Sequence, residues 1–261
     1  MGDRGPAVFI SHGAPTVAMQ DDGYTRALAA QGAPLRPKGV VVVSAHWEVA
    51  GPVRVNVGTA PSLIYDFSGF PEELYAIEYP APGSPEMAGA VVGLLEAAGI
   101  EAEPERARGW DHGLWVPLRI LYPDAGVPIV EVSLPVPRTP ETVSKVGAAL
   151  APLRDQGVML VGSGGVVHNL RRLRWDGEGP PEPWARAFDE WVAERLERRA
   201  FDEIARYRAE APHPDLAVPT TEHFDPLFFA LGATAAEDRL ATIYAGFTFG
   251  SLSMRSVAFS S

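Results

Sequence analysis

The stretch Val40-Val41-Val42-Val43-Ser44-Ala45-His46-Trp47 decides the fold class, because a run of β-branched residues this apolar is typical of a strand buried on both faces. Similar runs are found at residues 7–10, 128–134, 158–161, 242–247 and 252–259. Helical patterns lie between them, at residues 25–30, 84–98, 114–121, 139–154, 184–201 and 222–231. This alternation predicts a single α/β domain over residues 1–261, with a central mixed β-sheet flanked by helices. The proline-rich segments 176–183 and 209–220 are predicted to be surface loops, the second a candidate lid.

The composition excludes several classes of partner. The 22 basic and 33 acidic residues give a net charge of -11, so the long-range field repels nucleic-acid phosphates and anionic lipids. The longest apolar stretches, 40–43 and 88–95, are far shorter than the ~20 residues of a membrane span. Residues 1–10 also lack the basic and apolar regions of a signal peptide, so we expect a cytoplasmic protein that binds neither nucleic acid nor membrane.

The chain contains no cysteine, which restricts the chemistry of any site. Disulfides, thiolate nucleophiles and Cys-ligated metals are excluded, so a metal must be held by His, Asp or Glu. Such ligands suit Fe(II), Zn(II) or Mn(II) without choosing among them. The turn Gly162-Ser163-Gly164-Gly165 has Val161 where a serine nucleophile elbow needs glycine, which weakens a serine-hydrolase interpretation.

Three of the six histidines follow predicted strands. His12 follows the run 7–10, His46 follows 40–44, and His168 follows 158–161 after a glycine-rich turn. Ligands of open α/β sheets bind at the carboxyl ends of the strands, so the spacing predicts one shared metal site at that edge. His223, at the start of the last predicted helix, would enter the same site.

The two remaining histidines have different settings. His112 lies just before the predicted helix 114–121, where the helix dipole favours a neutral imidazole that can act as a hydrogen-bond donor or a base. An equally simple interpretation is a structural turn in which Asp111 faces the helix amides. His213, between two prolines, is predicted to lie on the surface.

Seven motifs occur in an order that resembles a known family. They are Ser11-His12-Gly13-Ala14-Pro15, Ser44-Ala45-His46-Trp47, Tyr65-Asp66-Phe67-Ser68-Gly69-Phe70-Pro71, Tyr79-Pro80-Ala81-Pro82-Gly83, Asp111-His112-Gly113, Gly162-Ser163-Gly164-Gly165-Val166-Val167-His168-Asn169-Leu170 and Thr221-Glu222-His223-Phe224. The chain resembles the class III extradiol ring-cleavage dioxygenases, and within them the single-chain branch that includes the DOPA 4,5-dioxygenases. The resemblance covers nearly the whole chain.

The resemblance implies roles for five histidines. His12, His46 and His223 would be metal ligands, and His168 would be a fourth ligand or the catalytic base. His112 would help to bind dioxygen or the substrate hydroxyl. A better-known branch of the family uses a Glu ligand, and here Glu222 directly precedes His223. Adjacent helical residues point about 100° apart, so we favour His223 as the ligand.

The implied activity is the insertion of dioxygen into a catechol, giving a muconic semialdehyde. It requires Fe(II), because Zn(II) has no accessible redox change, although Zn(II) can occupy the site in purified protein. The expected partners are a small aromatic diol and dioxygen, and a homo-oligomer is compatible with the sequence. Two alternatives are a zinc-dependent hydrolase and a non-catalytic metal-binding relative. Candidates for holding the ring are Trp47, Tyr65 and Phe70 first, then Phe67, Trp110 and Trp115, each of which core packing would also explain.

Overall fold

A computed structural model describes residues 4–175 and 179–261. The strands are β1 (Ala7–Ser11), β2 (Gly39–Ala50), β3 (Val53–Asn56), β4 (Ala102–Glu105), β5 (Ile129–Val136), β6 (Val158–Gly164), β7 (Arg239–Tyr244), β8 (Phe247–Thr248), β9 (Leu252–Ser253) and β10 (Ser256–Ser260). The α-helices are α1 (Gly23–Gly32), α2 (Glu72–Tyr75), α3 (Pro85–Ala97), α4 (His112–Leu121), α5 (Pro140–Leu150), α6 (Pro183–Glu197), α7 (Phe201–Ala205), α8 (Tyr207–Glu210), α9 (Pro214–Ala217) and α10 (Asp225–Gly232).

Eight strands form one mixed sheet in the order β4-β3-β5-β2-β6-β1-β10-β7, and β8 pairs with β9 apart from it. The four central strands β5, β2, β6 and β1 are mutually parallel, whereas β10 runs antiparallel to β1 and β3 antiparallel to β5. The predicted mixed α/β sheet is therefore confirmed. The carboxyl ends of the parallel strands meet at one edge, which is where this topology can build a site.

Helices cover both faces of the sheet because alternate strand residues point to opposite sides. Val41 and Val43 of β2 contact a core formed with α3, α5, α6 and α10. Val40 and Val42 contact the opposite core, formed with α1 and α4. The continuous valine run of the sequence is thus explained by burial on both sides. No helix in the described ranges is both long and apolar enough to cross a bilayer.

A buried ion pair closes the amino ends of β1 and β6. The guanidinium of Arg154 is fully buried and donates to both carboxylate oxygens of Asp238, at 2.6 and 2.9 Å. It also donates to the carbonyls of Gly5, Ala233 and Phe259. Five acceptors from distant parts of the chain are therefore satisfied by one side chain.

Several boundaries differ from the sequence prediction. The segment 209–220 is not all loop, because Pro214, suited to the first turn of a helix, begins the short helix α9. Strand β2 continues through His46 to Ala50, with its pairing to β5 interrupted between Val43 and Glu48. The last two predicted strands are divided into the four shorter strands β7 to β10, and the last predicted helix begins at Asp225. Of the other predicted loop, residues 176–178 lie outside the described part.

Candidate metal centre

Five of the six histidines meet at the carboxyl edge of the sheet. The ring centroids of His12, His46 and His223 lie 5.0 to 5.3 Å from one another. The ring of His168 stacks on that of His223 at 3.5 Å, and the ring of His112 lies 4.0 Å from that of His46. His213 is exposed, with no part in this cluster, as its surface prediction implied.

Different elements carry the five rings. His12 follows β1, and His46 lies where β2 leaves its pairing with β5, so both stand at the sheet edge. His168 follows β6 after the turn at 165–167. His112 is the first residue of α4, behind the N-cap Asp111, whose side chain accepts from the Leu114 amide. His223 comes two residues before α10.

Ser163 sets the tautomer of His12. Its hydroxyl donates to the carbonyl of Gly113 and therefore has only its lone pairs to offer the Nδ1 of His12, 3.0 Å away. His12 must donate from Nδ1, so its Nε2 is the unprotonated nitrogen. This is the form in which an imidazole binds a metal.

Carboxylates lie beside three of the other four rings. Asp66 accepts from the Nδ1 of His112 at 2.8 Å and lies 3.3 Å from the Nδ1 of His46. Glu222 lies 3.1 Å from the Nδ1 of His223 and accepts from the hydroxyl of Thr220. The rings of His46, His112 and His223 thus each have a carboxylate oxygen beside Nδ1, which favours the tautomer with the lone pair on Nε2.

The free nitrogens converge on one point, which tests whether a metal fits. The Nε2 atoms of His12 and His46 are 3.1 Å apart, and the Nε2 of His223 is buried with no hydrogen-bond partner. The ligand atoms of these three residues all lie within 4.8 Å of one another. Facing lone pairs repel, and a buried acceptor without a partner is costly, so a divalent cation between them would resolve both problems. The residues present therefore fit a metal ion.

Burial keeps the imidazoles of four of these histidines neutral. It lowers the pKa of His12 and His223 well below the ordinary value, with a further contribution from the neighbouring histidines. It lowers the pKa of both His46 and His168 to about 4. Desolvation would raise the pKa of Asp66, but the hydrogen bond from His112 and the nearby rings outweigh it and lower that pKa to about 2. At neutral pH the site therefore combines these four neutral rings with the ionised carboxylate of Asp66.

A second layer of polar groups fixes the backbone behind His46. Arg108 donates to the carbonyl of His46 at 3.1 Å and to the carboxylate of Asp111 at 2.7 Å. The same carboxylate accepts from the hydroxyl of Ser44. Gly113 is required by close approach, since a Cβ there would lie 2.5 Å from the Ser44 hydroxyl and 2.8 Å from the ring of His46. These contacts hold the first turn of α4 against the histidine cluster.

A cavity of about 240 Å³ opens over the cluster. Besides the five histidines it is lined by Gly13, Ala14, Pro15, Asp66, Phe67, Phe70, Leu170, Leu173, Trp175, Phe249 and Leu252. Of the three aromatic residues expected first at the ring, Phe70 is in the lining. Trp47 is buried beneath the guanidinium of Arg108, and the Tyr65 hydroxyl donates to the carbonyl of Ile77, so neither lines the cavity. Trp110 and Trp115 are fully buried in the core.

Sequence reasoning missed three groups that orient the rings: Asp66, Ser163 and Arg108. Asp66 carried a signal, because it is the single carboxylate within the aromatic motif 65–70. Ser163 and Arg108 carried none, since their partners lie 151 and 62 residues away in the chain. Glu222 was considered as a ligand in place of His223, whereas here it is a hydrogen-bond partner of that residue.

Comparison with known proteins identifies the class of this fold and site. Residues 6–251 match the family described as the catalytic LigB subunit of aromatic ring-opening dioxygenase, and the chain belongs to this family. It is a ring-cleaving extradiol dioxygenase, as the motifs predicted.

Individual relatives agree over nearly their whole length. The chain is 42% identical to a 4,5-DOPA dioxygenase extradiol of Escherichia coli, over 97% of this chain and 94% of the relative. It is 38% identical to the protein of the same name from Beta vulgaris, over 97% and 96%. The crystal structure of an uncharacterized Escherichia coli protein, 38% identical, superposes with a TM-score of 0.82 over 98% of this chain and 99% of that one.

Proposed function

We propose that the protein is a non-haem Fe(II)-dependent extradiol dioxygenase that opens a catechol ring to a muconic semialdehyde, with His12, His46 and His223 as the metal ligands. The observation that carries the proposal is the convergence of three Nε2 atoms whose rings are all fixed through Nδ1. Fe(II) bound there would bring catechol and dioxygen together and supply the redox chemistry that dioxygen requires. L-DOPA is the first substrate to test, because the relatives carry its name.

We propose His168 as the catalytic base rather than a fourth ligand. A ring nitrogen of His168 lies within 4.8 Å of ligand atoms of Glu222 and His223, but His168 is not in the group formed by His12, His46 and His223. It therefore stands beside the three converging atoms. The ring lines the cavity and is neutral at pH 7, since its pKa is lowered to about 4. A neutral imidazole in that place can accept a proton from a catechol hydroxyl.

His112 has a different task in the proposal. Its Nδ1 proton is held by Asp66, so its Nε2 is the nitrogen available to the cavity. This nitrogen can accept a hydrogen bond from the substrate hydroxyl and hand a proton on after it has received one. Phe67 and Phe70 lie on the same side and give the aromatic ring an apolar wall.

Reconstitution with two metals tests the function. The Irving-Williams order places Zn(II) above Fe(II) in affinity, so aerobic purification should yield largely zinc-loaded, inactive protein. After the metal is stripped, anaerobic addition of Fe(II) followed by oxygen and a catechol should give oxygen consumption and a coloured ring-opened product. Addition of Zn(II) should give neither. Equal oxygen consumption by both forms, or hydrolysis of esters or amides by the zinc form with no action of the iron form on catechols, would overturn the proposal.

A further inference from the structure

The cavity is divided into two chemically different parts. One part carries the five histidines and Asp66, which the proposed function uses for the diol and dioxygen. The other part, here called the outer wall, begins at Phe67 and Phe70 beside the proposed ring and continues to Leu170, Leu173, Trp175 and Phe249. A catechol whose two oxygens point to the histidines must direct its ring substituent away from them. The outer wall therefore faces the substituent.

Exposure marks the outer wall as a binding surface. Trp175 is 69% exposed and Leu170 is 59% exposed, and they are the two most exposed large apolar side chains in the described ranges. Both border the same cavity. Exposed apolar groups gathered at the mouth of a cavity are typical of ligand-binding grooves, since a bound apolar group removes them from water.

None of the six side chains of the outer wall is charged, and Arg171 and Arg172, exposed beside Leu170, lie outside the cavity lining. Within the described residues, Asp66 is the one acidic or basic residue of the cavity lining apart from the histidines, and its two oxygens already face His112 and His46. Arg174, close to the wall in sequence, is engaged with Glu182 and the carbonyl of Pro180. A charged substituent would lose hydration against this wall without gaining an ion pair, which is unfavourable.

We infer that the site selects catechols with an apolar ring substituent, such as an alkyl chain, over catechols whose side chain is a zwitterionic amino acid. The inference rests on the proposed function for the placement of the diol. It adds the class of substituent, with the outer wall as the specificity-determining surface. L-DOPA is then a substrate that fits the histidine end and gains little from the rest of the cavity.

Binding to the zinc-loaded protein tests the inference separately from catalysis. Tryptophan fluorescence would give the Kd of catechol, 4-methylcatechol, 4-butylcatechol and L-DOPA. Each methylene that enters the outer wall should tighten binding about three- to fourfold, so 4-butylcatechol should bind at least about tenfold more tightly than L-DOPA. The kcat/KM values of the iron form should follow the same order. An L-DOPA Kd equal to or below that of 4-butylcatechol, or no gain along the alkyl series, would overturn the inference.

Variants at the exposed end of the wall locate the effect without disturbing the core. Trp175→Ala should reduce the ratio of the 4-methylcatechol Kd to the 4-butylcatechol Kd about threefold or more. The Kd of catechol itself should be unchanged. Val136→Ala removes another exposed apolar side chain outside the cavity lining, and it should change none of these values. Equal behaviour of the two variants would count against the assignment of Trp175.

The failures of the two proposals are distinguishable. If alkylcatechols bind most tightly but the iron form opens none of the catechols, the proposed function is wrong and the binding preference stands. If the iron form opens L-DOPA with the highest kcat/KM and binds it most tightly, the proposed function stands and the inference is wrong.

Discussion

Polar side chains are buried at both ends of the parallel strands, but their hydrogen bonding is complete at one end and incomplete at the other. At the amino ends, the guanidinium of Arg154 meets a carboxylate and three carbonyls, and none of its nitrogens is left without a partner. At the carboxyl ends, the Nε2 of His223 has no partner, and those of His12 and His46 face each other. A polar cluster whose donors and acceptors are all paired contributes to the fold. Converging lone pairs without partners indicate a binding site for a cation.

The largest expected effect is on stability at the amino end. Arg154→Ala leaves the Asp238 carboxylate buried without its partner, so the free energy of unfolding should fall by about 3 to 5 kcal/mol in urea denaturation. Arg26→Ala breaks an exposed pair with Asp21 and should leave the free energy of unfolding close to that of the wild type. The zinc stoichiometry of folded Arg154→Ala protein should be unchanged. If this variant does not accumulate, Arg154→Lys serves in its place, and stability equal to the wild type would break the comparison.

The next effect is on turnover at the carboxyl end. His168→Ala should lower kcat of the iron form about 10²-fold or more, because a general base is lost. Its metal content should remain, which distinguishes a base from a ligand. His213→Ala removes an exposed histidine and serves as the control, with kcat unchanged. Wild-type turnover by His168→Ala would contradict the assignment, and loss of the metal would make His168 a ligand.

A smaller effect is expected from the carboxylate that holds two rings. In Asp66→Asn one carboxylate oxygen becomes an amide donor, so either His46 or His112 loses its acceptor, and zinc affinity should fall about 10- to 100-fold in a chelator competition. Glu222→Gln is the matched comparison. It keeps an oxygen that can accept from the Nδ1 of His223, so its loss should be smaller. Equal losses of zinc affinity in the two variants would show that the contact of Asp66 with two rings contributes no more than the contact of Glu222 with one.

The effect that is smallest near neutral pH is a pH dependence of the metal-free protein. His46 and His168 have an ordinary pKa of 6.5 and a folded pKa of about 4, so the unfolded chain binds more protons between these values. Stability should therefore be fully present above about pH 6.5 and decrease as the pH falls toward about 4. His168→Gln should flatten part of this slope in urea titrations. A slope unaffected by His168→Gln would contradict the burial argument.

Much of the fold follows from local patterns in the sequence. The β-branched runs predicted the central strands, and the helical patterns at 84–98 and 139–154 predicted where α3 and α5 begin. The position of His12 and His168 after strands indicated that they would reach one edge of the sheet. The ends of the last strand were not predictable, because β10 is bounded by its pairing with β1 and β7 rather than by its own sequence.

The fine geometry of the site required contacts between distant parts of the chain. Asp66 meets His112 across 46 residues, and no local spacing encodes such a pairing. Trp47 is instructive for the opposite reason. Adjacent residues of a strand point to opposite sides, so a His46 that faces the site indicates that Trp47 faces away from it. That signal was in the sequence and favours Phe70, on a separate loop, for contact with the ring.

The order of the strands also constrains how the protein is made. Strand β1 pairs with β6 and with β10, both of which are synthesised long after it. The three proposed ligands are separated by 34 residues, from 12 to 46, and by 177, from 46 to 223, so a partly synthesised chain holds no local chelating motif. We expect metallation to follow folding rather than to drive it. The folded cavity would then bind an ion from those that the cell supplies, so metal availability would decide which ion occupies the site.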